Sequence, residues 1–305
     1  MTAIIGGLGA AVLWAAATLS SSRSSRMIGS RVVLAWVMLV GVAVGLPIAL
    51  ATGVPAEIPP SAPVLIVVAG ICYSAGLYTT YRALSIGKVS IVAPIVATEG
   101  AVAAVIALVV GDPLGLTAGI MLAVIAIGVV LSSIEPARPD VPAGSIEIAA
   151  DALDGPPATI APPDHPEHTR EAVLLSIVAA VVFGVGLVSA GKAALLLPPI
   201  WVALSSRVIG LAIVTLPVFL QGRLVMTRRA LPLIVIAGIG EIIGSTASAW
   251  GATESIAIVA VLGSQFAAIA AVAAYFLFGE RLSRTQLAGV VLIVAGVSAL
   301  AVTAA

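Results

Sequence analysis

The chain has 305 residues, a length that would suit two soluble domains, but 61% are apolar, only 9% are charged and the mean hydropathy is +1.22, which excludes a water-soluble globule. Fourteen Lys and Arg balance fourteen Asp and Glu, so no basic face is available for nucleic acid. The balance is segregated: from Glu135 to Glu171 eight acids face two arginines, a net of −6, which leaves +6 on the rest.

A membrane helix needs about 20 mostly apolar residues to cross about 30 Å of hydrocarbon. Ten stretches meet that requirement. In chain order they run Thr2 to Ser20, Arg31 to Leu50, Val64 to Leu84, Val89 to Val110 and Leu116 to Ile134, then Ala172 to Ala190, Ile200 to Leu220, Pro232 to Ala252, Ile256 to Phe278 and Thr285 to Val302. They are apolar all round rather than alternating, so helices are predicted and not barrel strands. Met1 to Ile5 carry no Lys or Arg, so the first stretch reads as a retained helix rather than a secretory signal. The single Cys72 lies in the third stretch, which excludes an intrachain disulfide and suits packing.

Short Pro- and Gly-marked turns separate the stretches, as at Ile58-Pro59-Pro60 and Gly111-Asp112-Pro113. The exception is Glu135 to Arg170, rich in Pro, Ala and acids and without helical periodicity, which predicts a disordered tether. His165 and His168 stand there beside Asp164 and Glu167 and read as solvated linker residues rather than metal ligands. The expected organisation is a first five-helix unit at 1–134, an acidic linker at 135–171 and a second five-helix unit at 172–305.

The two units repeat each other. Leu65-Ile66-Val67-Val68-Ala69-Gly70-Ile71 returns as Leu233-Ile234-Val235-Ile236-Ala237-Gly238-Ile239. The same shift of 168 carries Gly76 onto Gly244, Gly111-Asp112 onto Gly279-Glu280, Leu114 onto Leu282 and Gly128-Val129 onto Gly296-Val297. Ser30-Arg31-Val32 is echoed by Ser206-Arg207-Val208 at a slightly different shift. Five helices per unit is odd, so the second copy enters the membrane from the opposite side and the repeats are inverted. The predicted fold is therefore an all-α membrane protein of ten transmembrane helices in two inverted five-helix repeats, an arrangement that carriers use for alternating access.

These features resemble the EamA-like branch of the drug/metabolite transporter superfamily over about Ala3 to Ile134 and Ala172 to Val302. The resemblance rests on the five-plus-five layout, the opening Ala11-Val12-Leu13-Trp14-Ala15, an Arg near the start of the second helix of each half, and Gly279-Glu280-Arg281-Leu282. The first-half counterpart Gly111-Asp112-Pro113-Leu114 departs from the Gly-Glu-Arg-Leu pattern. The resemblance implies a substrate cavity between the halves, secondary transport, and no particular substrate.

Loops on the linker side hold Arg23, Arg26, Arg82, Lys88, Arg138, Arg170, Arg223, Arg228, Arg229, Arg281 and Arg284, with Arg31 at their border, whereas the side of the termini has only Lys192. This asymmetry puts the linker in the cytoplasm and both termini outside; the family resemblance implies the reverse.

A charge at the bilayer centre costs about 2.5 to 3.5 kcal/mol on insertion scales. Glu99 and Glu241 fall near the middle of the fourth and eighth helices, so both should face protein or water. Glu241, Ser245 and Ser248 form one polar stripe at i, i+4 and i+7. Ser74, Tyr78, Tyr81, Arg82 and Ser85 form another, with Tyr73, the repeat partner of Glu241, just beside it. Ser90, Pro94 and Thr98 flank Glu99, and Pro94 predicts a kink. Ser264 and Gln265 occupy the middle of the ninth helix. Candidate residues for substrate or proton binding are thus Glu99, Glu241, Tyr73, Tyr78, Arg82, Thr98, Ser245, Ser248 and Gln265, together with Trp14 and Phe183, which the duplication relates and which are placed on the cavity wall. A static role for the acids, as partners of Arg82, Arg207 or a hydroxyl, is the alternative.

Trp201 reads as an interfacial anchor, Arg31 and Arg207 as helix-end charges with substrate-anion binding the weaker option, and Glu280 with Arg281 as a loop pair. Gly289, Gly296, Ala288 and Ala295 recur every seven residues on the tenth helix and suit close packing or a homodimer face.

The composition and repeats lead to a secondary carrier of a small polar or cationic metabolite, proton-coupled or exchanging, in the cell (inner) membrane as a multi-pass protein. A lipid or lipid-linked flippase of the same fold is the alternative. The chain holds no Gly-x-x-x-x-Gly-Lys-Ser/Thr motif, no His within a predicted span and one Cys, so neither ATP hydrolysis nor intramembrane catalysis is expected, and no cofactor or metal.

Overall fold

In a computed structural model the described residues are 1–87, 89–111, 115–133 and 166–269, with 284–285, 287–289, 291–292, 295–296 and 299. Most of the linker with His165, the side chain of His168, and the Gly279-Glu280-Arg281-Leu282 motif lie outside them. Among the described residues the chain is helical and holds no strand. The elements are α1 (Thr2–Ile28), α2 (Ser30–Ala51), α3 (Ala62–Ile86), α4 (Val89–Ala97), α5 (Glu99–Val109) and α6 (Leu116–Ser133). After the linker come α7 (Pro166–Ala194), α8 (Pro199–Gly210) continued by a π-helical turn (Leu211–Thr215) into α9 (Leu216–Leu220), then α10 (Leu231–Ala252) and α11 (Ile256–Gly263).

Six helices are long and apolar enough to cross a membrane: Thr2–Ile28, Ser30–Ala51, Ala62–Ile86, Arg170–Ala194, Pro199–Leu220 and Leu231–Ala252. Shorter apolar helices at Ile95–Val109, Gly119–Gly128 and Ile256–Ile269 fall on the predicted fourth, fifth and ninth spans. Helix α7 starts at Pro166, six residues before the expected Ala172, because proline opens a helix without wasting a backbone donor.

The faces follow the environment. Helix α7 turns Leu174, Ile177, Val178, Val181 and Val185 outward and buries Ala172, Ser176, Ala179 and Phe183 at helical spacing. An outer apolar face of this extent would aggregate in water and is at rest against acyl chains.

Helices of the first half pack between those of the second. The most extensive pairings are α1 with α10 and α3 with α7, followed by α2 with α10, α5 with α11 and α5 with α7. Glycines permit the closest approach: a Cβ added at Gly6 of α1 would stand 2.5 Å from the Ala247 carbonyl oxygen and 2.8 Å from the Gly251 Cα of α10. Gly296 of the predicted tenth helix lies against Ile125 of α6, so part of that small-residue face packs within the chain.

Side-chain contacts tie the ends of the bundle. At one end the Met1 ammonium pairs with Glu254 at 2.7 Å, and Trp201 Nε1 donates to the Gly53 carbonyl at 2.9 Å. At the other, Arg82 Nη2 pairs with Glu171 at 2.6 Å, Trp36 Nε1 donates to the Val225 carbonyl at 3.0 Å, and Arg26 reaches the Leu84 and Gly87 carbonyls at 3.5 Å. Arg23, Arg31, Arg170, Arg223, Arg228 and Arg229 belong to this second end by their place in the helix order, and Lys192 to the first.

Two of the apolar stretches are interrupted midway. The predicted fourth span breaks at Thr98, not at Pro94. The cause is local: the Ile95 carbonyl accepts both the Thr98 N–H at 3.2 Å and the Thr98 hydroxyl at 2.7 Å, and this hydroxyl competes with the helical ladder. The ninth breaks at Ser264-Gln265, where the Ser264 hydroxyl takes the Val261 carbonyl at 2.8 Å before the helix resumes to Ile269.

Candidate functional site

The centre of the bundle is a charged cluster drawn from both halves. Arg207 is wholly buried, although it was expected as a helix-end charge; it stands well inside Pro199–Leu220 and runs sideways through the protein instead of reaching a surface. Its aliphatic stem needs Gly41 of α2 opposite, since a Cβ there would lie 3.0 Å from Arg207 Cδ. One guanidinium nitrogen, Nη2, donates to the Tyr73 hydroxyl at 3.0 Å, the Glu241 carbonyl at 2.7 Å and the Ser245 hydroxyl at 2.8 Å, and approaches the Glu241 carboxylate at 3.5 Å. The guanidinium also lies over the Tyr73 ring, 4.2 Å from its centroid. Tyr73 in turn donates to the Glu241 carboxylate, and Ser245 donates to the Tyr73 oxygen at 3.0 Å.

Two cavities adjoin this cluster and share Trp14, Tyr73 and Leu187 in their walls. The first, toward the Met1–Glu254 end, is lined by Ser245, Ser248 and small residues of α7 and α8 such as Gly186, Ala190 and Ala203. The second brings Glu99 and Glu241 into one wall among Tyr81, Phe183 and Phe266. Both carboxylates are 5% exposed, and Glu241 has a buried cation beside it whereas the described residues offer Glu99 no hydrogen-bond donor.

Residues 1–134 match the EamA-like transporter family. The chain carries an EamA-like transporter domain. That domain ends at the predicted linker and contains Trp14, Tyr73 and Glu99. A solved structure titled "Crystal structure of protein" has the same fold over both halves: it is 19% identical, the alignment covers 99% of this chain and 96% of that one, and the TM-score is 0.71. No curated protein matches.

Of the residues singled out from the sequence, Tyr73, Glu241 and Ser245 meet in the charged cluster. Glu99, Trp14 and Phe183 join Tyr73 and Glu241 at the second cavity, and Ser248 lines the first. The others stand apart. Tyr78 of the EamA-like domain accepts from Arg31 Nε at 3.0 Å, with Arg31 5.3 Å from its ring centroid, and Arg82 is spent on Glu171 at an exposed helix end. The Thr98 hydroxyl is taken by its own backbone; Gln265 is 3% exposed with Nε2 unbonded, in neither cavity wall. Arg207 was missed as a site residue. Its signal was the one that singled out the acids, a charge well inside an apolar stretch.

Proposed function

We propose that the chain is a multi-pass secondary carrier of the cell (inner) membrane that moves a small polar or cationic metabolite by alternating access between two inverted five-helix repeats. The observation that carries this reading is the pair of buried intramembrane carboxylates, Glu99 from the first half and Glu241 from the second, in the wall of one cavity. Intramembrane acids mark ion, proton or substrate paths, and Glu99 and Glu241 are assigned to bind the substrate or a proton.

Reciprocal packing supports the inverted repeats. In the first half Gly76 lies against the Phe183 ring; 168 positions on, Gly244 lies against the ring of Trp14, the counterpart of Phe183. Gly70 meets Ile209 and Gly238 meets Val40; Gly41 meets Arg207 and Gly210 meets Met38. Each contact has a twin with the halves exchanged, as a two-fold operation in the membrane plane requires. Two interrupted helices and a cavity on each side of the charged cluster fit alternating access, since discontinuous helices near mid-depth build transporter sites.

The test is uptake into proteoliposomes with a metabolite panel, with and without a pH gradient. Saturable uptake that fails in Glu99→Gln and Glu241→Gln proteins that still insert supports the reading; full activity in both variants leaves the acids a structural role only.

A further inference from the structure

The central layer holds two carboxylates and one buried cation among the described side chains, and the geometry divides them unequally. Arg207 stands against Glu241 and not in the cavity wall, whereas Glu99 is in the wall and its carboxylate accepts no hydrogen bond from the described residues. The helices packed on α5, namely α4, α7 and α11, add no titratable side chain to that wall; α3 adds Tyr73 and Tyr81 and α10 adds Glu241. With both acids ionised and Arg207 counted, the layer is short of one positive charge.

The wall has a second character. Trp14, Tyr73, Tyr81, Phe183 and Phe266, five of the chain's thirteen aromatic residues, gather there. Aromatic faces beside a carboxylate attract a cation that also carries apolar surface.

Resting on the carrier reading above, we propose that this cavity binds a monovalent organic ammonium ion whose charge replaces a single proton on Glu99, while Arg207 stays as the resident counter-ion of Glu241. An isolated anion is costly in this interior, so the cavity is neutral with either one proton or one substrate cation. Binding an ammonium ion expels the Glu99 proton to the solution, and the two exchange one for one. Transport by this cycle moves no net charge.

The probe is phenethylammonium, titrated into the purified full-length protein in weakly buffered detergent solution. Tryptophan fluorescence reports occupancy and a pH dye reports protons. Phenylethanol and phenylpropionate serve as neutral and anionic isosteres. The expected result is saturable binding of the ammonium with release of about one proton per chain, and neither isostere competing. Glu99→Gln should bind at least about tenfold more weakly and release none, and Glu99→Asp should recover both. Equal or tighter binding of either isostere, binding without proton release in the wild type, or unchanged release from Glu99→Gln overturns the assignment. Those outcomes leave the carrier reading intact if the uptake panel finds a substrate of another charge. A null response to all three compounds also overturns it, and the panel then decides the carrier reading separately.

Discussion

Tyr73 and Glu241 stand 168 positions apart, the interval of the sequence repeat, and the hydroxyl of the first donates to the carboxylate of the second. Equivalent positions of two inverted copies can touch only where the relating axis passes. In the carrier reading that axis runs through this hydrogen bond, and Arg207 closes the contact from the side.

Loss of one charge at this point is expected to be worse than loss of both. Arg207→Met leaves Glu241 buried without its cation, a defect of about 3 to 5 kcal/mol, whereas Arg207→Met with Glu241→Gln removes the imbalance. Thermal unfolding in detergent should show the double variant more stable than Arg207→Met alone; the reverse order would mean the pair is not coupled.

Tyr73→Phe keeps the ring over Arg207 but deletes a donor to Glu241 and an acceptor for Arg207 and Ser245. Hydrogen bonds to charged groups contribute about 1.5 to 3 kcal/mol, so a loss of stability in that range is expected by the same measurement.

The α1–α10 seam should discriminate sharply between neighbouring glycines. A Cβ at Gly6 collides with backbone, whereas at Gly9 the nearest neighbour is the Ala247 Cβ at 4.0 Å. Gly6→Ala is expected to lose about 1 to 3 kcal/mol through overpacking, and Gly9→Ala to be neutral, as judged by the melting temperatures of the two purified proteins.

Glu254 lies outside the spans, and its carboxyl is held down to about 2, from an ordinary 4.5, chiefly by the Met1 ammonium and then by the Thr2 hydroxyl and the Ala3 N–H. A folded-state value below the unfolded one stabilises fully above about pH 4.5, and that contribution is lost as pH falls through about 2. Both partners are exposed, so the amount is at most about 1 kcal/mol. Glu254→Gln should flatten the acid limb of melting temperature against pH; an unchanged limb would assign it to other groups.

The basic end of the bundle is expected in the cytoplasm. In a Cys72→Ser background, Ala56→Cys, in the turn before α3, should react with a membrane-impermeant maleimide on intact cells, and Thr227→Cys, beside Arg228 and Arg229, should not. The opposite pattern would favour the orientation that the family resemblance implies.

Much of the bundle was legible because hydropathy reports environment directly: the predicted second, third, seventh and eighth spans agree closely with Ser30–Ala51, Ala62–Ile86, Pro199–Leu220 and Leu231–Ala252. The placement of Glu99 and Glu241 off the lipid was legible for the same reason. Partners were not, since which helix meets which is decided by tertiary packing. The echo of Ser30-Arg31-Val32 in Ser206-Arg207-Val208 shows why. The packing twins Gly41 with Gly210 and Met38 with Arg207 differ by seven positions from that echo, nearly two full turns. Such a slip preserves the helix face and so escapes periodicity, but it moves the counterpart of Arg207 from Arg31 to Met38, about 10 Å along the axis. Thr98 was opaque in another way, because proline rules single out Pro94 whereas the break depends on where one hydroxyl finds a carbonyl.

Where Gly41 admits a guanidinium stem, Gly210 admits the thioether of Met38. The duplicated halves have therefore ceased to be interchangeable at their meeting point. A molecule assembled from two first halves would set methionine against methionine and hold Glu99 twice with no arginine, and one from two second halves would crowd two arginines and two glutamates into the same space. The second half supplies both Arg207 and Glu241 and the first supplies the Tyr73 hydroxyl that joins them, so the cluster needs one half of each kind.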